Sequence, residues 1–303
     1  MCRLPNFLKQ GDTVAIVSPS GPINKSYIDS ATAILKSWGL TVLVGTHACS
    51  SYGVFAGTDE QRATDFQEAL DNPNVRAVFC SRGGYGAIRI VEQLDYSKFL
   101  QSPKWIVGFS DITVFHAKLA SLGVASLHAA MPKNFGTVSK ESLESLHSTL
   151  FGTLQSISWQ SSPFNINGTV RGTLIGGNLS LLYSMRGVPF EYTYSNALLF
   201  FEDLQEYLYH IDRIMQNFKY SGLLSNIQGL LVGGMTGMKH GVDQYNASIE
   251  TIIRDAVAPY SIPLCFNVPS GHDSENMALI LGHEYECIIE TQSVLLHPIQ
   301  PTI

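Results

Sequence analysis

Short apolar runs alternate with helical patterns along the first half of the chain. The apolar run at residues 13–17 predicts a buried strand, and residues 24–38 repeat apolar positions at helical spacing up to Gly39, a residue type that commonly ends helices. Thr58 and Gln61 have the spacing of a capping box, which predicts that another helix begins there. This alternation predicts right-handed crossovers and a parallel sheet with helices on both faces. The predicted strands are 13–17, 41–44, 76–80 and 105–109, and the predicted helices are 24–38, 58–71, one after Gly86 to about residue 94, and 112–122.

The second half mixes strand and helix patterns in a different order. Between the halves, residues 136–168 are rich in Ser, Thr and Asn and have no clear periodicity, which is typical of a connecting segment. The sequence therefore predicts an α/β fold, with a parallel-sheet domain at residues 1–135 and a smaller α+β domain at residues 169–303. The strands predicted in this second domain are 169–175, 197–201, 229–232 and 277–281, and its predicted helices are 178–185 and 206–218.

Composition and charge limit the classes of function that the sequence predicts. The chain of 303 residues is 45% hydrophobic and 15% charged, which predicts a globular protein with a full core. Its formal net charge is −6 and it has no run of Lys or Arg, so the sequence gives no reason to expect a nucleic-acid partner. An anionic substrate would have to be held by individual cations or backbone amides in a pocket.

The cysteine pattern argues against a disulfide framework and a zinc site. The five cysteines are odd in number, scattered, and without a C-x-x-C pair, which predicts a reducing compartment and hence the cytoplasm. No apolar run approaches the ~20 residues that span a bilayer, and no signal-peptide pattern opens the sequence, so no membrane partner is expected. Histidines and acids cluster at residues 272–283 without a known ligand spacing, so no metal or cofactor is predicted.

Ser110 is the first candidate for chemistry. It lies in Gly108-Phe109-Ser110-Asp111, where a predicted strand ends and a helix begins directly. A hydroxyl on such a turn lies above the sheet edge, where the next backbone amide can stabilise an oxyanion. The same serine could instead cap the helix with no chemical role. Ile112 replaces the second glycine of a G-x-S-x-G motif, so an ordinary α/β-hydrolase elbow is not predicted.

A glycine-rich loop at residues 82–86, Arg-Gly-Gly-Tyr-Gly, follows the strand predicted at 76–80. Its glycines let backbone amides approach a negatively charged ligand, although a plain tight turn explains them as well. The loop is not a G-x-G-x-x-G and does not follow the first strand, so it predicts no dinucleotide site. Cys80 ends the same strand, and it is either a cysteine nucleophile or small core filling.

An acid and a histidine complete the candidates. Glu202 directly follows the apolar strand predicted at 197–201, where a partly desolvated carboxylate can orient an imidazole or simply belong to a solvated turn. His272 lies in a turn-rich loop, Pro-Ser-Gly-His, between two predicted strands. It could act as a base, but as one of nine histidines it could equally be an ordinary surface residue.

Six segments carry a family resemblance: AGTDEQRATDFQEAL, RGGYGAIRI, IVGFSDIT, GTLIGGNLSLL, FFEDLQEYLYHIDR and the turn Gly271-His272. Taken together, they resemble the L,D-carboxypeptidase family, which includes the muramoyltetrapeptide carboxypeptidases and the microcin-immunity peptidases. The resemblance spans nearly the whole chain, with its motifs in family order. It implies a glutamine-amidotransferase-like N-terminal domain, a distinct C-terminal domain, an active site between them, and a homodimer.

The resemblance also implies roles for individual residues. Ser110 matches the nucleophile, Glu202 the triad acid and His272 the base, and the backbone amides of Gly84 and Asp111 match the oxyanion donors. A further residue, Arg82, is predicted separately as a partner for a substrate carboxylate.

The implied activity is a serine carboxypeptidase that hydrolyses an L,D-peptide bond. Its implied substrate is a muropeptide tetrapeptide, which loses its terminal D-alanine in the cytoplasm during cell-wall recycling. A microcin-type peptidyl-nucleotide is the alternative substrate within the family. Outside the family, a non-catalytic protein that binds a small ligand is the competing hypothesis, with Ser110 as a helix cap and the glycine-rich loop as an anion-binding site.

Overall fold

The computed structural model describes residues 2–241 and 244–300, in two lobes that each contain one sheet. The strands predicted at 13–17 and 41–44 have the predicted bounds, and those predicted at 76–80 and 105–109 each differ from the prediction by one residue at one end. The elements of the N-terminal lobe are, in chain order, β1 (Thr13–Val17), α1 (Lys25–Ser37), β2 (Thr41–Val44), α2 (Asp59–Asp71), β3 (Val75–Cys80), α3 (Ala87–Ile90), α4 (Ser97–Gln101), β4 (Trp105–Gly108), α5 (Thr113–Ser121), β5 (Ser126–His128) and α6 (Lys140–Leu150).

The rest of the chain supplies the second sheet with its helices and one strand of the first sheet, β11, which was predicted at 277–281 as part of the second domain. Among the helices of the described residues, none has the length and apolar character needed to cross a bilayer. The remaining elements are β6 (Ile157–Gln160), β7 (Gly168–Asn178), α7 (Leu179–Ser184), β8 (Ala197–Leu204), α8 (Leu208–Tyr220), α9 (Leu223–Asn226), β9 (Gly229–Thr236), α10 (Ile249–Val257), β10 (Leu264–Cys265), β11 (Leu279–Leu281), β12 (Glu284–Ile289) and β13 (Ser293–Pro298).

The first sheet has the strand order β11-β5-β4-β3-β1-β2. Strands β1 to β5 run parallel, which confirms the predicted parallel sheet, while β11 returns from the second half and pairs antiparallel to β5. The second sheet has the order β10-β9-β8-β7-β12-β13-β6, with its first four strands parallel and the others antiparallel. The α/β fold class is therefore confirmed. Loops at the carboxyl ends of β3, β4 and β5 lie along one sheet edge, where ligands bind in such folds.

Local sequence signals explain several of these elements. The capping box of α2 is present, since the Gln61 amide donates to Thr58 Oγ1 at 3.2 Å and the Thr58 amide donates to Gln61 Oε1 at 3.0 Å. In β8, residues 197–203 are all buried, as expected for a parallel strand covered on both faces. Both signals operate over a few residues, which is why the sequence predicted these elements.

The segment at residues 136–168 differs from its prediction as a mere connection. It contains α6, which packs against the first sheet, and β6, which forms an edge of the second. The buried face of α6 includes Ser142 and Ser145, whose hydroxyls accept hydrogen bonds from the backbone amides of Asn276 (2.8 Å) and Ala278 (3.1 Å). Polar residues fill part of this buried face, and only three of the eleven residues of the helix, all leucines, are apolar. The helix predicted to reach about residue 94 is also shorter, ending at Ile90.

The two lobes share a core beside the loop that follows β4. Phe109 and Ile112 belong to the same buried cluster as Ile175 and Phe201 of the second sheet. In the same region the backbone amide of Asn178 donates to Thr113 Oγ1 at 2.9 Å, and a Cβ at Gly177 would lie 2.4 Å from that oxygen. This close packing fixes the end of β4 against the carboxyl ends of β7 and β8.

Candidate active site

Ser110 has a strained backbone at the turn between β4 and α5. Its φ is 64°, in the left-handed region, which costs a non-glycine residue roughly 1–2 kcal/mol and is often found at functional sites. In the described part of the chain its side chain caps neither the short 3₁₀ turn Ser110–Ile112 nor α5. The helix-cap interpretation is therefore wrong, and the hydroxyl is free for other chemistry.

A cavity of about 260 Å³ opens beside this serine. Four of the residues singled out from the sequence line it, namely Arg82, Gly84, Ser110 and His272. Cys80 is fully buried and does not line the cavity, and burial raises the pKa of its thiol, so it does not suit a nucleophile. The other lining residues are Gly83, Phe109, Met131, Lys133, Asn134 and Leu204.

The glycine-rich loop packs directly on the serine turn. A Cβ at Gly83 would lie 2.8 Å from Ser110 Oγ and 3.3 Å from the backbone nitrogen of Asp111. Gly84 has a φ of 111°, a conformation that favours glycine. The backbone N–H groups of Gly84 and Asp111 donate to no acceptor within residues 2–241 and 244–300. Both amides can therefore donate to a ligand oxygen in the cavity.

The side chain of Asp111 has a structural role that the sequence did not indicate. It is buried, and its Oδ2 accepts hydrogen bonds from Ser20 Oγ at 2.6 Å and from the backbone amide of Ala87 at 2.9 Å. Burial raises the pKa of this carboxyl, and the hydrogen bonds oppose that rise. Asp111 thereby joins the serine turn to the start of α3, just after the glycine-rich loop.

Glu202 and His272 form a close pair although 70 positions separate them in the chain. Glu202 Oε2 lies 2.5 Å from His272 Nδ1, which leaves Nε2 as the ring nitrogen available to the cavity. The contact requires Gly271, with a φ of 138°, because a Cβ there would lie 3.0 Å from Glu202 Cβ. The Glu202 side chain is fully buried, and that of His272 is 15% exposed.

The pKa values of this pair follow from burial and mutual charge. Burial raises the pKa of Glu202, and the neighbouring His272 opposes the rise. For His272, burial alone would lower the pKa, but the charge and hydrogen bond of Glu202 outweigh it and the pKa lies above its ordinary value. The imidazole is therefore both oriented and made more basic by the carboxylate.

Neighbouring groups hold this pair in place. The carboxylate of Asp203, next to Glu202, accepts from Asn178 Nδ2 at 2.9 Å and from Ser180 Oγ at 2.7 Å. The ring of Phe109 packs 4.8 Å, centroid to centroid, from that of His272. The sequence did not single out Lys133, a charged residue that lines the cavity from the turn Pro132–Asn134 after β5. Because ligand sites tend to lie at the carboxyl ends of parallel strands, its position after such a strand could have identified it.

The histidines and acids at residues 272–283 do not converge on one point. His272 contacts Glu202, whereas His283 Nε2 lies 2.7 Å from the carbonyl oxygen of Ile299. Across residues 2–241 and 244–300, no three His, Cys, Asp or Glu side chains are grouped in a way that could hold a metal ion.

Comparison with known proteins supplies the family. Residues 14–129 match the LD-carboxypeptidase N-terminal domain, and residues 171–287 match the LD-carboxypeptidase C-terminal domain. The murein tetrapeptide carboxypeptidase of Pseudomonas aeruginosa is 29% identical over 280 residues, covering 89% of this chain and 91% of that protein.

Solved structures share the fold of this chain. The muramoyltetrapeptide carboxypeptidase from Oxalobacter formigenes superposes with a TM-score of 0.87 at 30% identity, covering 96% of this chain and 100% of that one. An MccF-like protein from Bacillus anthracis, at 22% identity, shares the fold with a TM-score of 0.83, covering 98% of this chain and 100% of that one. The resemblance found in the motifs is thus confirmed, and the chain belongs to the LD-carboxypeptidase family.

Proposed function

We propose that this protein is a serine carboxypeptidase that hydrolyses an L,D-peptide bond and releases the terminal D-alanine of a muropeptide tetrapeptide during cell-wall recycling. The observation that carries most weight is the 2.5 Å contact between Glu202 and His272, beside a cavity that Ser110 also lines. Family membership supports a serine-type carboxypeptidase. The names of the relatives from Pseudomonas aeruginosa and Oxalobacter formigenes support a murein tetrapeptide as substrate.

In the proposed first step, Ser110 attacks the carbonyl carbon of the last peptide bond. His272 Nε2 takes the hydroxyl proton, and Glu202 orients the ring through Nδ1 and stabilises the imidazolium that forms. Because the carboxylate is buried, its attraction for the charged ring is screened little by water. The strained backbone of Ser110 presents the hydroxyl to the cavity without a competing hydrogen bond in the described part of the chain.

The tetrahedral intermediate carries a negative oxygen, which the amides of Gly84 and Asp111 stabilise in this mechanism. His272 then gives its proton to the leaving amine, and D-alanine departs. A water molecule attacks the acyl-enzyme by the same route in reverse and releases the tripeptide product. Asp111 would contribute its backbone amide to the oxyanion and its side chain to the position of the loop.

Gly83→Ala is expected to lower kcat/KM by about 10²-fold, because a methyl group 2.8 Å from Ser110 Oγ would displace the nucleophile. Gly136→Ala is the matched control, since a Cβ at Gly136 meets nothing within 4 Å. Steady-state kinetics of both variants on the tetrapeptide measure the effect. Equal rates in the two variants would contradict the placement of the reacting hydroxyl against this loop.

The proposed reaction is tested with a muropeptide tetrapeptide that ends in D-alanine and with its all-L isomer. We expect mass spectrometry to detect alanine released from the first and not from the second. Release from the all-L isomer alone, or from neither, would refute the proposal. A third sample, with a peptidyl-adenylate, tests the microcin-type alternative. Preferential cleavage of the peptidyl-adenylate would favour that alternative.

The cytoplasmic location and the homodimer stay predictions. Sedimentation of the purified protein would give the mass of the assembly.

A further inference from the structure

One wall of the catalytic cavity is cationic. Arg82 and Lys133 both line it, together with Ser110 and His272. Burial, followed by the charge of Arg82 on the same cavity wall, lowers the pKa of Lys133. Within the described part of the chain, neither forms an ion pair with a carboxylate.

The backbone holds both cations at this wall. Arg82 follows β3, and its Nη1 donates to the carbonyl oxygen of Pro22 at 2.8 Å. Its Nε is buried without a hydrogen-bond partner among the described residues. The backbone amide of Lys133 donates to the carbonyl oxygen of Ser81 at 3.0 Å, so the turn that carries Lys133 is joined to the residue preceding Arg82.

Two partly buried cations beside each other destabilise the protein unless an anion joins them. Although the chain carries a formal net charge of −6, none of the described residues that line the cavity is an Asp or a Glu, so the compensating anion is expected to come from the ligand. A cavity of about 260 Å³ is smaller than the roughly 300–1,000 Å³ of sites for whole drug-sized ligands, and it suits one end of a peptide.

Resting on the function proposed above, we propose that Arg82 and Lys133 together bind the C-terminal carboxylate of the peptide substrate. In a peptide this carboxylate is separated from the scissile carbonyl by only the last residue. A clamp on the same cavity as the nucleophile therefore restricts cleavage to the last bond of a chain with a free C-terminus. Lys133 is the better residue to replace in a test, since Arg82 also donates a hydrogen bond to the carbonyl oxygen of Pro22 and its loss could disturb the fold.

Lys133→Met is tested on the tetrapeptide with a free C-terminal carboxylate and on the same peptide with a C-terminal amide. We expect wild type to prefer the acid, and the variant to lose about 10- to 100-fold in kcat/KM on the acid, mainly through KM, with little change on the amide. Lys133→Arg, which keeps the charge, is expected to retain most of the preference. Lys36→Met, on the exposed face of α1, is the control and should match wild type.

The outcomes separate this assignment from the proposed reaction. Cleavage by wild type with the same preference for the acid in Lys133→Met would overturn the clamp and leave the peptidase function intact. An equal loss on acid and amide would also overturn it, because the lysine would then act on the fold and not on the carboxylate. If wild type cleaves neither peptide, the proposed function fails, and the clamp with it.

Discussion

Replacing Ser110 by alanine is expected to lower kcat/KM on the tetrapeptide by about 10⁴-fold or more, while binding of the peptide survives. The reason is that the hydroxyl is the proposed nucleophile and makes no capping hydrogen bond whose loss could unfold the turn. Kinetics on the cleavable peptide and calorimetric titration of the same peptide separate the two effects. An alanine variant as active as wild type would refute the serine mechanism.

Two further variants, one at Ser121 and one at Ser110, serve as controls for this experiment. Ser121→Ala, at the opposite end of α5, removes an exposed hydroxyl that donates to the Lys118 carbonyl oxygen, and it should leave activity unchanged. Ser110→Gly should be as inactive as Ser110→Ala but at least as stable, because glycine tolerates a φ of 64° without steric cost. A thermal melt of the two inactive variants compares their stability.

Replacing Glu202 by glutamine is expected to lower kcat/KM by about 10²- to 10⁴-fold and to move the acid limb of its pH profile to lower pH. A base must be unprotonated, so activity is lost as pH falls through the pKa of His272. Glu202 holds that pKa above the ordinary value of about 6.5, which puts the acid limb of wild type above that pH. A neutral amide removes the charge that raises the pKa, while burial still lowers it.

The pH profile distinguishes this role from a purely structural one. Glu284→Gln removes an acid that pairs with Arg171 at 2.7 Å away from the cavity, and it should change neither rate nor profile. If Glu202→Gln lost activity with an unshifted acid limb, the carboxylate would not be tuning His272.

Several features of the fold and site could be predicted from sequence because their signals are local. The capping box of α2, the apolar run of β8 and the alternation that gives the parallel sheet each depend on residues a few positions apart. Residues near strand ends were identified for the same reason, including Ser110, which lies just after β4, and Glu202, which lies near the carboxyl end of β8. The helix α6 was missed because serines occupy part of its buried face.

By itself, then, the sequence determined the type and position of most elements, the glycine-rich loop and the family. Only the tertiary structure decided which candidates meet: that Glu202 contacts His272, that Asp111 joins the serine turn to the start of α3, and that Lys133 lies beside Arg82. The physical reason is that the Glu202–His272 contact depends on the packing of the two lobes, and the other two contacts depend on the order of β3, β4 and β5, whose carboxyl ends lie side by side. Contacts between residues so far apart in the chain leave no periodic pattern in the sequence, because they are set by how the strands and helices pack and not by the spacing of neighbouring residues.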